Sequence, residues 1–149
     1  MLIRPPGNPT KDLIETFSKN HLATMIEASL QLRRKVAEVK SRDSSNTISE
    51  ESFPGGYIAL VGANSPSSLS NRSIRIVLCD EVDRYPVSAG KEGDPITLAT
   101  QRTKTFFNRK HIYVSTPTLK EVSRIEQFYN DSTMEEWNLP CLPTTNCNR

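Results

Sequence analysis

The 149-residue sequence predicts an α/β fold built on a parallel sheet with flanking helices. Three observations predict it. Short apolar runs at 57–62, 74–79 and 111–118 are separated by stretches whose apolar residues recur every three or four positions. The run "IRIVLC" is continuously apolar from Ile76, a pattern expected of a strand covered on both faces. The runs are short, so the order strand, strand, helix, strand, helix needs only one layered domain.

Each element has a local reason. Residues 2–4 are apolar, and "PPGNP" then stops any regular structure. Thr10 can cap a helix from Lys11 whose apolar side reads Leu13, Ile14, Phe17, Leu22, Met25 and Ile26, continuing to Leu30, Val36 and Val39. The phase drifts at Asn20 and His21, which predicts two helices rather than one. Residues 41–52, "SRDSSNTISEES", read as a polar loop. "YIALVG" reads as a strand, and "ANSPSSLSNRS" as a Ser/Asn-rich loop before "IRIVLC". Asp94-Pro95 has the residue types of an N-cap and first helical position, with Ile96, Ala99, Thr103 and Phe106 on one face. "HIYVSTPT" (111–118) reads as a third strand, and Val122, Ile125 and Phe128 mark a last helix.

Composition excludes several classes. No stretch approaches the ~20 apolar residues of a membrane span, and "MLIRPPGNPT" lacks a signal-peptide core, so a cytoplasmic protein with no membrane partner is expected. Nineteen basic and 17 acidic residues leave a net charge of +2, too small to argue nucleic-acid binding by itself. The cysteines are Cys79, Cys141 and Cys147, without C-x-x-C spacing, so neither a disulfide framework nor a zinc site is expected.

The chemistry concentrates in "IVLCDEVDRYP". Asp80, Glu81 and Asp83 directly follow an apolar run, and an unpaired charge is costly to bury. Three readings stand: a solvated turn, a metal site made of Asp80, Glu81 and Asp83, or the acidic strand end of a P-loop NTPase. In the third, the Asp holds a nucleotide's Mg²⁺ and the adjacent Glu orients and deprotonates water. That chemistry needs both carboxylates on a rigid strand at the carboxyl edge of a parallel sheet. About thirty residues later a second strand ends in "VSTPT", where Ser115 or Thr116 could bond a phosphate or its water. An ordinary Ser/Thr turn is the alternative.

"PGGYIALVGANSPSSLSNRSIRIVLCDEVDRYP", "GDPITLATQRTKTF" and "VSTPTLKEVSRIEQFYNDST", in this order, resemble the GpA-type large terminase subunit of tailed phages over residues 1–141. The resemblance implies a partial P-loop NTPase sheet of the ASCE type and an ATP-driven motor that packs viral DNA, followed in the family by a nuclease domain. It implies ATP and Mg²⁺ as cofactors. Double-stranded viral DNA, a small terminase subunit and a portal are the implied partners. By position Asp80 resembles the Mg²⁺-binding (Walker B) Asp and Glu81 the catalytic Glu. Ser115, Thr116 and Pro117 resemble the segment coupling hydrolysis to DNA movement.

The phosphate-binding motif G-x-x-x-x-G-K-[ST] does not occur in these 149 residues; the one Gly-Lys pair, Gly90-Lys91, is followed by Glu92. The sequence therefore reads as lacking the P-loop strand and helix and the nuclease domain. Residues 142–149 read as a divergent tail, and the whole as a prophage remnant. Phosphoryl transfer rests on positioning and electrostatics, and losing one such contact costs roughly 10²–10³ in rate. ATP and Mg²⁺ are thus not expected to bind productively, and no hydrolysis is expected from the chain alone.

Arg72, Arg102, Lys104, Arg109 and Lys110 are candidate DNA or phosphate contacts, with a solvated surface as the alternative. Two rival functions remain: a non-catalytic module binding DNA or an intact terminase, and a metal-dependent nuclease fragment using Asp80, Glu81 and Asp83.

Overall fold

A computed structural model describes residues 1–5, 14, 16–36, 49–136 and 138. Strands β1 (Leu2–Arg4), β2 (Glu50–Phe53), β3 (Gly56–Gly62), β4 (Ile76–Asp80) and β5 (Lys110–Val114) form one sheet, ordered β2-β3-β1-β4-β5. β3, β1, β4 and β5 run parallel, and β2 joins β3 antiparallel at one edge. The expected α/β sheet is therefore present and mostly parallel. All four parallel strands deliver their carboxyl ends, Arg4, Gly62, Asp80 and Val114, to one rim.

The pairing register sorts the side chains onto two faces. Ile3 lies opposite Val61 and Cys79, and Cys79 opposite Tyr113, so these share a face. Two helices cover that face: α3 (Pro66–Ser70), anchored by Leu69, and α4 (Pro95–Gln101), anchored by Ile96 and Ala99. Val82, Tyr85 and Ala89 close the same core. The Tyr85 hydroxyl donates to the Ile3 carbonyl at 2.8 Å, which fastens the loop after β4 to the central strand. Leu2, Leu60, Leu78 and Ile112 share the second face.

Several expectations meet corrections. Residues 50–53 form strand β2 rather than part of an exposed loop; residues 41–48 of that loop lie outside the described residues. The reason is the turn Phe53-Pro54-Gly55-Gly56. Gly55 has φ +90°, as a type II turn requires, and it folds β2 back onto β3. The Ser/Asn-rich stretch holds α3, because Pro66 suits a first helical position and Leu69 finds the core. The third strand stops at Val114, and Val122 precedes the last helix, α5 (Arg124–Asn130), and is exposed. Ser123 caps α5, its Oγ accepting from the Glu126 N–H at 3.2 Å.

The drift of phase in the first helical segment has a structural counterpart. Ser18–Leu22 forms a π-helical turn that leads into α1 (Ala23–Ala28). The wider turn absorbs the extra residue in the apolar spacing. The chain breaks at Ser29, which caps α2 (Leu30–Lys35). Thr10, Lys11, Leu13, Val39, Trp137, Cys141, Cys147 and the tail 142–149 lie outside the described residues. Asp94 caps α4 as expected, its Oδ2 accepting from the Thr97 N–H at 2.8 Å.

Candidate active site

The core run Val77 and Cys79 fixes β4 centrally, with β1 on one side and β5 on the other. Burial pushes the Cys79 thiol up to about 12, so it packs as a neutral apolar group. Asp80 is the last residue of β4, at the carboxyl rim. Glu81 then takes φ +57°, ψ +50°, a left-handed conformation that ends the strand abruptly. A 3₁₀ turn, Val82–Arg84, follows, pinned by fully buried Val82.

Each carboxylate has a different partner. Asp80 Oδ2 is 3.1 Å from Nη2 of Arg4, the last residue of neighbouring β1. The Arg4 guanidinium in turn lies 4.6 Å over the Phe17 ring, which places the first helical segment beside this rim. Glu81 Oε2 is 3.3 Å from Arg84 Nε, yet this buried oxygen receives no aligned hydrogen bond. Asp83 points the other way. Its Oδ2 accepts from the Thr118 N–H at 2.9 Å and the Thr118 hydroxyl at 3.1 Å, and its Oδ1 from the Ile125 N–H at 2.9 Å. Burial alone would raise its pKa. Hydrogen bonds from Ser123, Ile125 and Thr118 outweigh that and hold it below the ordinary carboxylate value.

The Ser-Thr-Pro bend meets the acidic turn. Ser115 Oγ accepts from the Asp83 N–H at 3.2 Å, so Asp83 is clamped to the bend through both its backbone and its side chain. Thr116 and Pro117 are exposed. Pro117 lines a cleft of about 480 Å³ with Ser115, Thr118, Lys120, Ile125 and Tyr129. The structure thus brings Asp80, Glu81 and Ser115 to one rim. A larger cleft of about 810 Å³ lies along Ser65–Ser68, Asn71 and Arg72. Among the described residues no carboxylate lines it.

The candidate basic contacts are elsewhere. Arg72 ion-pairs with Glu50 and its guanidinium lies 5.5 Å from the Tyr57 ring. Arg102, Lys104, Arg109 and Lys110 sit at the amino-terminal rim of β4 and β5, the opposite end of the sheet from Asp80. Arg4 and Thr118 are site residues that sequence reasoning missed. Arg4 could have been found as the one cation ending an apolar strand; Thr118 carries no signal beyond its place in "STPT".

The chain's sequence from residue 7 to 149 matches the family described as phage terminase large subunit gpA, ATPase domain. It belongs to that family. The "Terminase, large subunit" of Enterobacteria phage P21 is 30% identical over 137 residues, covering 89% of this chain. The chain spans 21% of that relative's length.

The rim can be tested for its fit to a divalent cation. Among the described residues no cluster of three His, Cys, Asp or Glu side chains could hold a metal ion. The three-carboxylate site is not assembled, because Asp83 is engaged by Thr118 and Ile125. What remains is Asp80, partly exposed and already facing a cation. One or two carboxylates completed by phosphates and water suit Mg²⁺ better than a protein cage does. Asp80 and Glu81 fit that donor set.

Proposed function

We propose that this chain supplies the cation- and water-handling edge of an ATP-hydrolysing site in a DNA-packaging motor. The supporting observation is the joint placement of Asp80 and Glu81 at the carboxyl tip of a central parallel strand, tied at Asp83 to the Ser115 bend. Family membership supports ATP as the nucleotide and DNA as the substrate moved.

Bound magnesium nucleotide would supply the positive charge that offsets phosphate repulsion. Asp80 would hold that cation, with Arg4 released from it. Glu81 would accept a proton from water through its carboxylate, whose Oε2 has no aligned donor. Ser115 and Thr116 would offer hydroxyls to a phosphate. Asp83 would make the acidic turn and the bend move as one piece, which is the mechanical requirement for coupling through Pro117. The 149 residues contain no G-x-x-x-x-G-K-[ST] cradle, so they are not expected to turn over ATP unaided.

Mn²⁺ line broadening of backbone amide NMR signals tests the assignment. Millimolar Mn²⁺ with ATP should broaden residues 80–83 and 115–118 first, and Asp80→Asn should abolish this. Broadening centred on Ser65–Arg72 would move the nucleotide to the larger cleft and sink the reading.

A further inference from the structure

The amino-terminal rim of the sheet has its own chemistry. α4 runs against the strands and ends there: the Ile74 N–H donates to the Arg102 carbonyl at 3.1 Å. The Lys110 N–H donates to the Arg75 carbonyl at 3.1 Å, so the start of β5 abuts the start of β4. Arg75, Arg102, Lys104, Arg109 and Lys110 therefore come from three chain segments to one end of the β4–β5 pair. Residues 95–120 contain no Asp or Glu, nor do residues 71–79. None of these five cations makes an ion pair among the described residues, and Arg102 Nε is buried without an acceptor. Arg72 differs, since Glu50 neutralises it on the β2–β3 side.

One apolar group stands in this basic surface. Phe107 is 96% exposed, while its neighbour Phe106 is partly buried. The turn that presents it is held in place. The buried Thr103 hydroxyl bonds the Thr100 carbonyl at 2.7 Å and His111 Nε2 at 2.8 Å, and the Phe106 N–H donates to the Thr103 carbonyl at 3.0 Å. A lone exposed aromatic is unremarkable. An exposed aromatic on a fixed turn among unpaired cations has the makeup of a nucleic-acid contact: charges for phosphates and a ring for a groove or base step.

We propose that this rim binds the phosphate backbone of double-stranded DNA, with Phe107 as its apolar contact. The choice of DNA over another polyanion rests on the packaging reading above; the surface itself does not involve the nucleotide site. It lies at the opposite end of the sheet from Asp80, so β4, β5 and α4 span the distance between fuel and cargo.

Fluorescence anisotropy with a labelled duplex of about 20 base pairs tests this, because log K falls with log salt by about 0.9 per phosphate neutralised. The duplex should bind without ATP. Lys104→Glu with Arg109→Glu should weaken binding at least about tenfold and flatten the salt slope by about 2 contacts. Phe107→Ala should weaken binding and leave the slope unchanged. Lys91→Glu, a single charge reversal of the same kind near the other end of the sheet, should do little. A matching circular dichroism melt for each variant separates binding from folding. The proposal is overturned if the double variant binds like the parent, if Lys91→Glu is equally damaging, or if polyglutamate competes as well as DNA. Loss of DNA binding with intact Mn²⁺ broadening would remove this surface only. The reverse result would remove the nucleotide reading only.

Discussion

At the scale of single residues, Glu81 carries the clearest conflict between stability and use. A left-handed backbone costs a non-glycine residue about 1–2 kcal/mol. Its ion pair with exposed Arg84 returns little of that, since such pairs are worth roughly 0–1 kcal/mol. Replacement by glycine should relieve the strain and replacement by alanine should not. Chemical denaturation should find Glu81→Gly more stable than Glu81→Ala by about 1 kcal/mol, and equal stabilities would mean the kink is not strained. On the proposed reading, the strained pose is kept because it presents a carboxylate at the strand tip. Arg4 makes a related point. It occupies Asp80 with a cation of the protein's own, so it competes with any metal there. Arg4→Gln should tighten Mn²⁺ binding severalfold in a titration followed by electron paramagnetic resonance, and unchanged affinity would make the pair a bystander. "MLIRPP" shows a cation ending an apolar strand but not its partner, because the contact with Asp80 depends on β1 inserting beside β4, a long-range pairing.

At the scale of elements, Asp83 is the joint. It connects the turn after β4, the bend after β5 and the start of α5. Its pKa is held below the ordinary carboxylate value by those donors, despite the opposing effect of burial. The sign follows from linkage. A depressed folded pKa contributes stability that is complete above the unfolded value of about 3.9 and fades as pH falls through the folded value. Acid titration of stability should therefore show a loss below about pH 4 that is smaller in Asp83→Asn. Identical profiles would show that the clamp contributes no pH dependence. The sequence showed "DEVDRYP" as one acidic cluster, and alternation of charge and apolar residues could not separate its members. The separation comes from backbone direction: Glu81 turns left-handed, and Asp83 is thereby aimed at residues thirty-five and forty-two positions away. What was legible was local. Asp94-Pro95 read correctly as a helix start, because a cap needs only its own few residues. The run at 74–79 read as a strand, which the structure forms over Ile76–Asp80, with Asp80 at its end. β2 was missed because Glu50, Glu51 and Ser52 are polar in an edge strand, where only the Pro54-Gly55 turn gave a signal.

At the scale of the whole molecule, the sheet is covered unevenly. Continuous apolar patterning in β4 predicts burial on both faces, and α3 and α4 provide one cover. On the other face Leu60 is buried, yet Ile112 is 45% exposed and Val114 56% exposed. Val114 lies opposite Asp80 in the register, and Ile112 opposite Leu78, so the open apolar strip runs along the β4–β5 half toward the proposed nucleotide rim. β5 is also the outer strand, with a free row of backbone donors and acceptors among the described residues. Parallel sheets are stable when both faces are covered. The 149-residue chain should therefore bind the apolar dye ANS in its folded state, with a cooperative melt and intact near-ultraviolet dichroism to distinguish it from a molten globule. Ile112→Lys combined with Val114→Lys should reduce dye fluorescence and raise solubility while changing stability by less than about 1 kcal/mol, because partly exposed side chains contribute little to the core. The same variants should leave duplex binding at the opposite rim no weaker. Native protein that binds no ANS would mean that the open face is no property of the folded chain.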